Sequence, residues 1–125
     1  MEMDKSVNVF GETLEICCEK PITGFYRDGK CNTNKDDVGS HTVCIKVTKE
    51  FLEYSNFKGN DLSKPIPEFN FKGLKPGDSW CLCALRWLEA EENSMAPRIH
   101  LQRTHIKAID IVPMALLKKY AVDLN

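Results

Sequence analysis

Hydrophobic and polar positions alternate along HTVCIKVT (41–48). Val43, Ile45 and Val47 fall on one side and Thr42, Cys44 and Lys46 on the other, which predicts a strand with one buried face. The period then changes. In KEFLEYSNF (49–57) Phe51 and Tyr54 are three apart, Thr48 stands where an N-cap belongs and Gly59 lies just past the end, so a short helix is expected. LKPGD (74–78) offers Pro76 and Gly77 at the central positions of a type II turn, from which a strand SWCLCA (79–84) should emerge. Between Cys83 and Arg86 that strand should give way to a helix, LRWLEAEENS (85–94). RIHLQRT (98–104) reads as another strand, and AIDIV (108–112) as strand or irregular chain. The last helix is the clearest, with Pro113 in its first turn, Leu116, Leu117, Tyr120 and Ala121 on one face, and Lys118 and Lys119 near the negative end of its dipole.

The remaining segments are extended or looped. SVNVFGETLEICC (6–18) reads as short extended pieces around Gly11. Residues 21–41, dense in Gly, Asn, Asp and Thr, predict a long structured loop, a feature often tied to function in small domains. Pro65 and Pro67 exclude a regular helix between them. Strands and helices mix without steady β-α alternation, and no repeat or linker interrupts residues 1–125. The expected architecture is therefore one small α+β domain, with a mainly antiparallel or mixed sheet and two to three short helices.

Charge adds little direction. Seventeen Lys and Arg against eighteen Asp and Glu leave a net charge of −1, with no general pull toward nucleic acid or an anionic membrane. No apolar run is long enough to span a bilayer, and MEMDKSVNVFGE (1–12) lacks a secretory apolar core, so a cytoplasmic protein is expected. In that compartment the six cysteines should be free thiols or metal ligands rather than disulfides.

The chemistry-bearing residues support three readings. On a strand, Cys81 and Cys83 of GDSWCLCALRW (77–87) share a face opposite Trp80 and Leu82, which suits a core, a shared metal or a reactive pair. A thiol enzyme would draw on Cys31, Cys81 or Cys83 as nucleophile and on His41 as the nearby base. A metal site would draw on Cys31, His41, Cys44, Cys81, Cys83 and His105, although their spacing matches no familiar zinc signature. A binding site for a small polar or anionic molecule would use Tyr26, Arg27, Asn32 and Thr33 of TGFYRDGKCNT (23–33) together with Arg86. The plainer alternative for that loop is that Arg27 pairs with Asp28, Asp36 or Asp37 and only stiffens it.

Five blocks, TGFYRDGKCNT (23–33), DVGSHTVC (37–44), GNDLSKPIPEF (59–69), GLKPGDSWCLCALRW (73–87) and TH (104–105), span most of the chain. In this order they resemble the uncharacterised, mostly bacterial family labelled domain of unknown function 2237. The resemblance implies a small cytoplasmic domain and brings no activity with it. Asn34 stands where the family pattern leads one to expect Gly, and Cys18 falls outside the pattern. Taken together, the expected function is binding of a small polar or anionic ligand in a pocket formed by the 23–44 loop and the 80–87 segment. Cysteine-dependent catalysis, redox chemistry and Cys/His metal binding stay open as alternatives. The identity of the ligand and the oligomeric state are not legible.

Overall fold

The computed structural model describes residues 3–123. Strands β1 (Val43–Lys46), β2 (Ser79–Leu82) and β3 (Arg98–Ile99) form an antiparallel sheet in the order β2-β1-β3, accompanied by helices α1 (Lys49–Phe57), α2 (Ala84–Glu92) and α3 (Met114–Lys119). This is the α+β class expected, with a purely antiparallel sheet. Among the described residues no helix is long and apolar enough to cross a membrane.

Local chemistry places the elements. The Thr48 hydroxyl accepts the Phe51 N–H at 3.1 Å and starts α1. Asp78 N–H donates to the Lys75 carbonyl at 3.0 Å, and Gly77 sits at φ +95°, closing the type II turn that launches β2. Alternation along the strands then builds the core. Val43, Ile45, Trp80, Leu82 and Ile99 face α2 and α3, where Trp87 is fully buried. The Trp87 ring meets Tyr120 edge-on at 5.1 Å, and its indole N–H donates to the Pro97 carbonyl at 3.1 Å.

The other face of the sheet departs from expectation. Cys44, on the face opposite Val43, Ile45 and Val47, is also fully buried. The β1–β2 register sets it directly opposite Cys81, and two disulfides cover both, Cys31–Cys81 from the long loop and Cys17–Cys44 from the segment before it. The expectation of free thiols is thereby corrected. Among the described residues only Cys18 and Cys83 are unbonded. Antiparallel pairing brings facing side chains within about 5.5 Å, and each strand sulfur meets a loop cysteine there instead of its cross-strand neighbour.

The strand expected over 98–104 ends after Ile99. Asp123 takes the N–H groups of Leu101 and Gln102, at 2.8 and 3.0 Å, and the Thr104 hydroxyl donates to the His100 carbonyl at 2.8 Å. These side chains occupy backbone groups that a longer ladder would use, and the chain turns into 3₁₀ segments at Leu101–Arg103 and Ile106–Asp110. AIDIV falls largely in the second of these, so it is neither strand nor shapeless.

His105 caps that second segment from full burial. Its Nδ1 accepts the Lys107 N–H at 3.0 Å, which assigns the ring proton to Nε2, 2.8 Å from the Lys5 carbonyl. Burial lowers its pKa below the ordinary 6.5, outweighing the opposite pull of the Lys5 carbonyl and Asp4. The unfolded chain therefore binds this proton more readily, and the contribution to stability is present above 6.5 and is lost as the pH falls from there. Stability to urea should drop between about pH 7.5 and about pH 5.5, and the drop should be smaller in His105→Gln. His100, whose pKa is lowered by burial and by Arg103, titrates in both proteins, so the difference between their slopes isolates His105. Equal slopes would refute the assignment.

Candidate functional site

β2 is an edge strand, and the long loop folds along its open side. The buried Thr23 hydroxyl accepts the Cys81 N–H at 2.8 Å, satisfying an edge donor and fixing the start of the loop. Gly24 follows at φ +103°, where a Cβ would lie 2.3 Å from the Lys30 carbonyl oxygen, so only glycine lets the loop return on itself here. Arg27, also at positive φ, donates to the Gly24 carbonyl at 3.1 Å and lays its guanidinium over the Trp80 ring, 5.2 Å from the centroid.

Between loop and strand lies a cleft of about 330 Å³. Phe25, Arg27 and His41 border it from the loop, Trp80 to Cys83 from the strand, and Asn60 and Leu62 from the segment after α1. A wider cleft of about 560 Å³ on the other side of Arg27 is bordered by Lys20, Phe69 and Lys72 and includes neither thiol nor imidazole. The first cleft is therefore where chemistry would be sought, although it is the smaller.

His41 is positioned from below by Asp37, whose carboxylate side chain is 1 % exposed. One carboxylate oxygen lies 2.6 Å from His41 Nδ1, and the other accepts the His41 backbone N–H and the Thr33 hydroxyl, each at 2.8 Å. A carboxylate is an acceptor only, so Nδ1 carries the ring proton and Nε2 is left as a base. The His41 side chain itself is 44 % exposed, so the base reaches solvent and cleft alike.

Cys83 stands at the N-cap of α2. Its Sγ lies 2.8 Å from the Gly39 carbonyl, which accepts from the thiol. A Cβ on Gly39 would come within 2.8 Å of Cys83 Sγ and 3.6 Å of His41 Cε1. The thiol and the imidazole ring thus both lie close to Gly39. A side chain there would displace one of them.

The candidate residues separate under this geometry. Arg27, His41, Cys81 and Cys83 come to one cleft. Cys31 and Cys81 are joined and buried, so neither offers a thiol in this state, and Cys44 is joined to Cys17. Tyr26 hydroxyl accepts from the Asn34 amide, Asn32 donates to Asp28 at 2.9 Å, and Thr33 holds Asp37, so these three organise the loop and do not border the cleft. Arg86 turns along α2 toward Glu89 at 3.9 Å, outside the cleft. His105, offered as a metal ligand, has both ring nitrogens engaged by backbone. Arg27 does not pair with a carboxylate of its loop, because Trp80 and Gly24 take it. Asp37 is offered by the sequence only as a partner for Arg27, and nothing in the sequence points to Gly39 or Cys17. DVGSH did place a carboxylate four residues before the histidine, the one signal of the first that was legible.

The chain belongs to the family described as "uncharacterized protein conserved in bacteria (DUF2237)", whose match covers residues 7–121. Among curated proteins no sequence matches it.

Proposed function

We propose that this member of an uncharacterised bacterial family binds a small anionic or polar molecule in the cleft beside β2 and acts on it through the Cys83 thiol. The observation that carries the reading is that Cys83 and His41 border one cleft and both lie beside Gly39, with Asp37 holding the imidazole so that Nε2 is its basic nitrogen. A thiol needs a nearby base and a favourable electrostatic setting to become a nucleophile. His41 would take the proton. Arg27, placed over the Trp80 ring at the border of the same cleft, supplies a planar cation for a carboxylate or phosphate-like group. A cytoplasmic location belongs to this proposal. There the pool of small thiols would make the two disulfides a reversible couple instead of a fixed scaffold.

Labelling of the oxidised protein tests it. Iodoacetamide should modify Cys83 ahead of Cys18, and iodoacetate, the anionic reagent, should gain on iodoacetamide at Cys83 alone. His41→Ala should slow labelling of Cys83 on the order of tenfold or more, and Arg27→Gln should remove the anion preference. The proposal is lost if Cys83 reacts no faster than Cys18 and shows no preference for the anion.

A further inference from the structure

Four of the six cysteines meet behind the cleft. Cys17, Cys31, Cys44 and Cys81 form one buried cluster, none more than 3 % exposed. The cluster is not simply two separate cross-links. The sulfurs of Cys31 and Cys81, which form one disulfide, and that of Cys17, from the other, all lie within 4.8 Å of one another, and Cys44 is bonded to Cys17. Three sulfurs are thus grouped, and the fourth is one bond away from that group.

We infer that the reduced form of this cluster is a site for a thiophilic divalent cation, with zinc as the leading occupant, and that the disulfide form is the same site with its metal expelled. A tetrahedral zinc with Zn–S bonds of about 2.3 Å spaces its sulfurs about 3.8 Å apart. Three of these sulfurs already lie within 4.8 Å, and reduction frees each bonded pair to separate toward that spacing. The supports are firm. Cys44 and Cys81 face each other in the β1–β2 register, and Cys17 is pinned by its N–H to the Gly29 carbonyl at 2.7 Å. An all-sulfur donor set selects soft ions over magnesium or calcium, and burial of every ligand describes a closed structural site and not a catalytic one. His41, Cys83 and His105 are not part of the cluster, whereas Cys81 belongs to it and also borders the cleft.

The switch balances as follows. Each disulfide accepts two electrons and two protons from a dithiol reductant, which leaves as its own disulfide. The four thiols formed release four protons as they bind the dication. Oxidation by a disulfide or peroxide reverses the sequence, removing four electrons and returning the metal to solution.

A Cys18→Ser/Cys83→Ser double variant retains only the four clustered cysteines and isolates the question from the cleft. It is reduced with dithiothreitol under nitrogen, desalted and titrated with Co²⁺. One Co²⁺ per chain is expected, with sulfur-to-cobalt charge transfer and the intense visible bands of a tetrahedral site. Zn²⁺ should displace it, and native mass spectrometry should find one zinc in the reduced protein and none in the oxidised. Cys17→Ala in this background should weaken binding more than about 100-fold, beyond what loss of an outer partner costs. Circular dichroism covers the case in which reduction loosens the fold, since zinc should then restore it. The inference fails if the reduced protein takes up no Co²⁺, if binding survives Cys17→Ala or oxidation, or if a chain unfolded by reduction stays unfolded with zinc.

Discussion

Trp87→Ala should cost about 3–5 kcal/mol of folding free energy. The side chain is fully buried, touches Tyr120 edge-on at 5.1 Å, and sits where α2, α3 and the core face of the sheet converge. Truncation opens a cavity that the antiparallel sheet cannot collapse into, and it leaves the Pro97 carbonyl without its indole donor. Trp87→Phe keeps an aromatic ring and loses the donor, so its cost should be clearly smaller than that of alanine. Urea unfolding monitored by far-UV circular dichroism measures both variants. Equal costs, or an alanine cost under about 1 kcal/mol, would show that the core does not depend on this residue.

The disulfides should matter nearly as much. Removing either as an alanine pair, Cys31→Ala/Cys81→Ala or Cys17→Ala/Cys44→Ala, should cost about 2–5 kcal/mol under oxidising conditions. The first bond closes 50 residues and the second 27, a difference in loop entropy worth only about 0.5 kcal/mol. Location separates them further. Cys31 closes the segment that carries Thr23, Gly24 and Arg27, so losing its bond should also let the cleft open. Stability and the rate of Cys83 labelling, measured on both pairs, should therefore diverge. The Cys31 pair should change both, and the Cys17 pair chiefly stability. Identical labelling rates in both variants would count against a loop held over the cleft by Cys31.

Much of the fold was legible where neighbours in sequence determine it. Thr48 capped the helix it precedes, Pro76 and Gly77 made their turn, and Cys81 faced away from Trp80 and Leu82 as strand parity requires. The long 21–41 loop was equally visible from its composition, and it lacks helix and strand apart from an isolated bridge between Glu19 and Ile22 at its edge. The failures share one origin. Alternation puts Cys44 on the second face of β1 and cannot say whether that face is covered. RIHLQRT was read as a strand because nothing near it announces Asp123, which takes its backbone donors from about twenty residues downstream. Thr33 was read as a ligand contact, and its partner proved to be Asp37 within the same loop.

By itself, then, the sequence determined the element types, the α+β class and the parity of β2. These rest on caps, turns and periodicities that act within about four residues and need no partner from elsewhere. The tertiary structure decided the sulfur chemistry. Register between β1 and β2 set Cys44 opposite Cys81, and the packing of the 6–18 segment and of the long loop chose Cys17 and Cys31 as their partners, leaving Cys18 and Cys83 unbonded. Loop closure over tens of residues costs entropy that varies only slowly with length, so spacing along the chain barely distinguishes one pairing from another. The same holds for Cys83 and His41, which only the fold brings to one cleft beside Gly39.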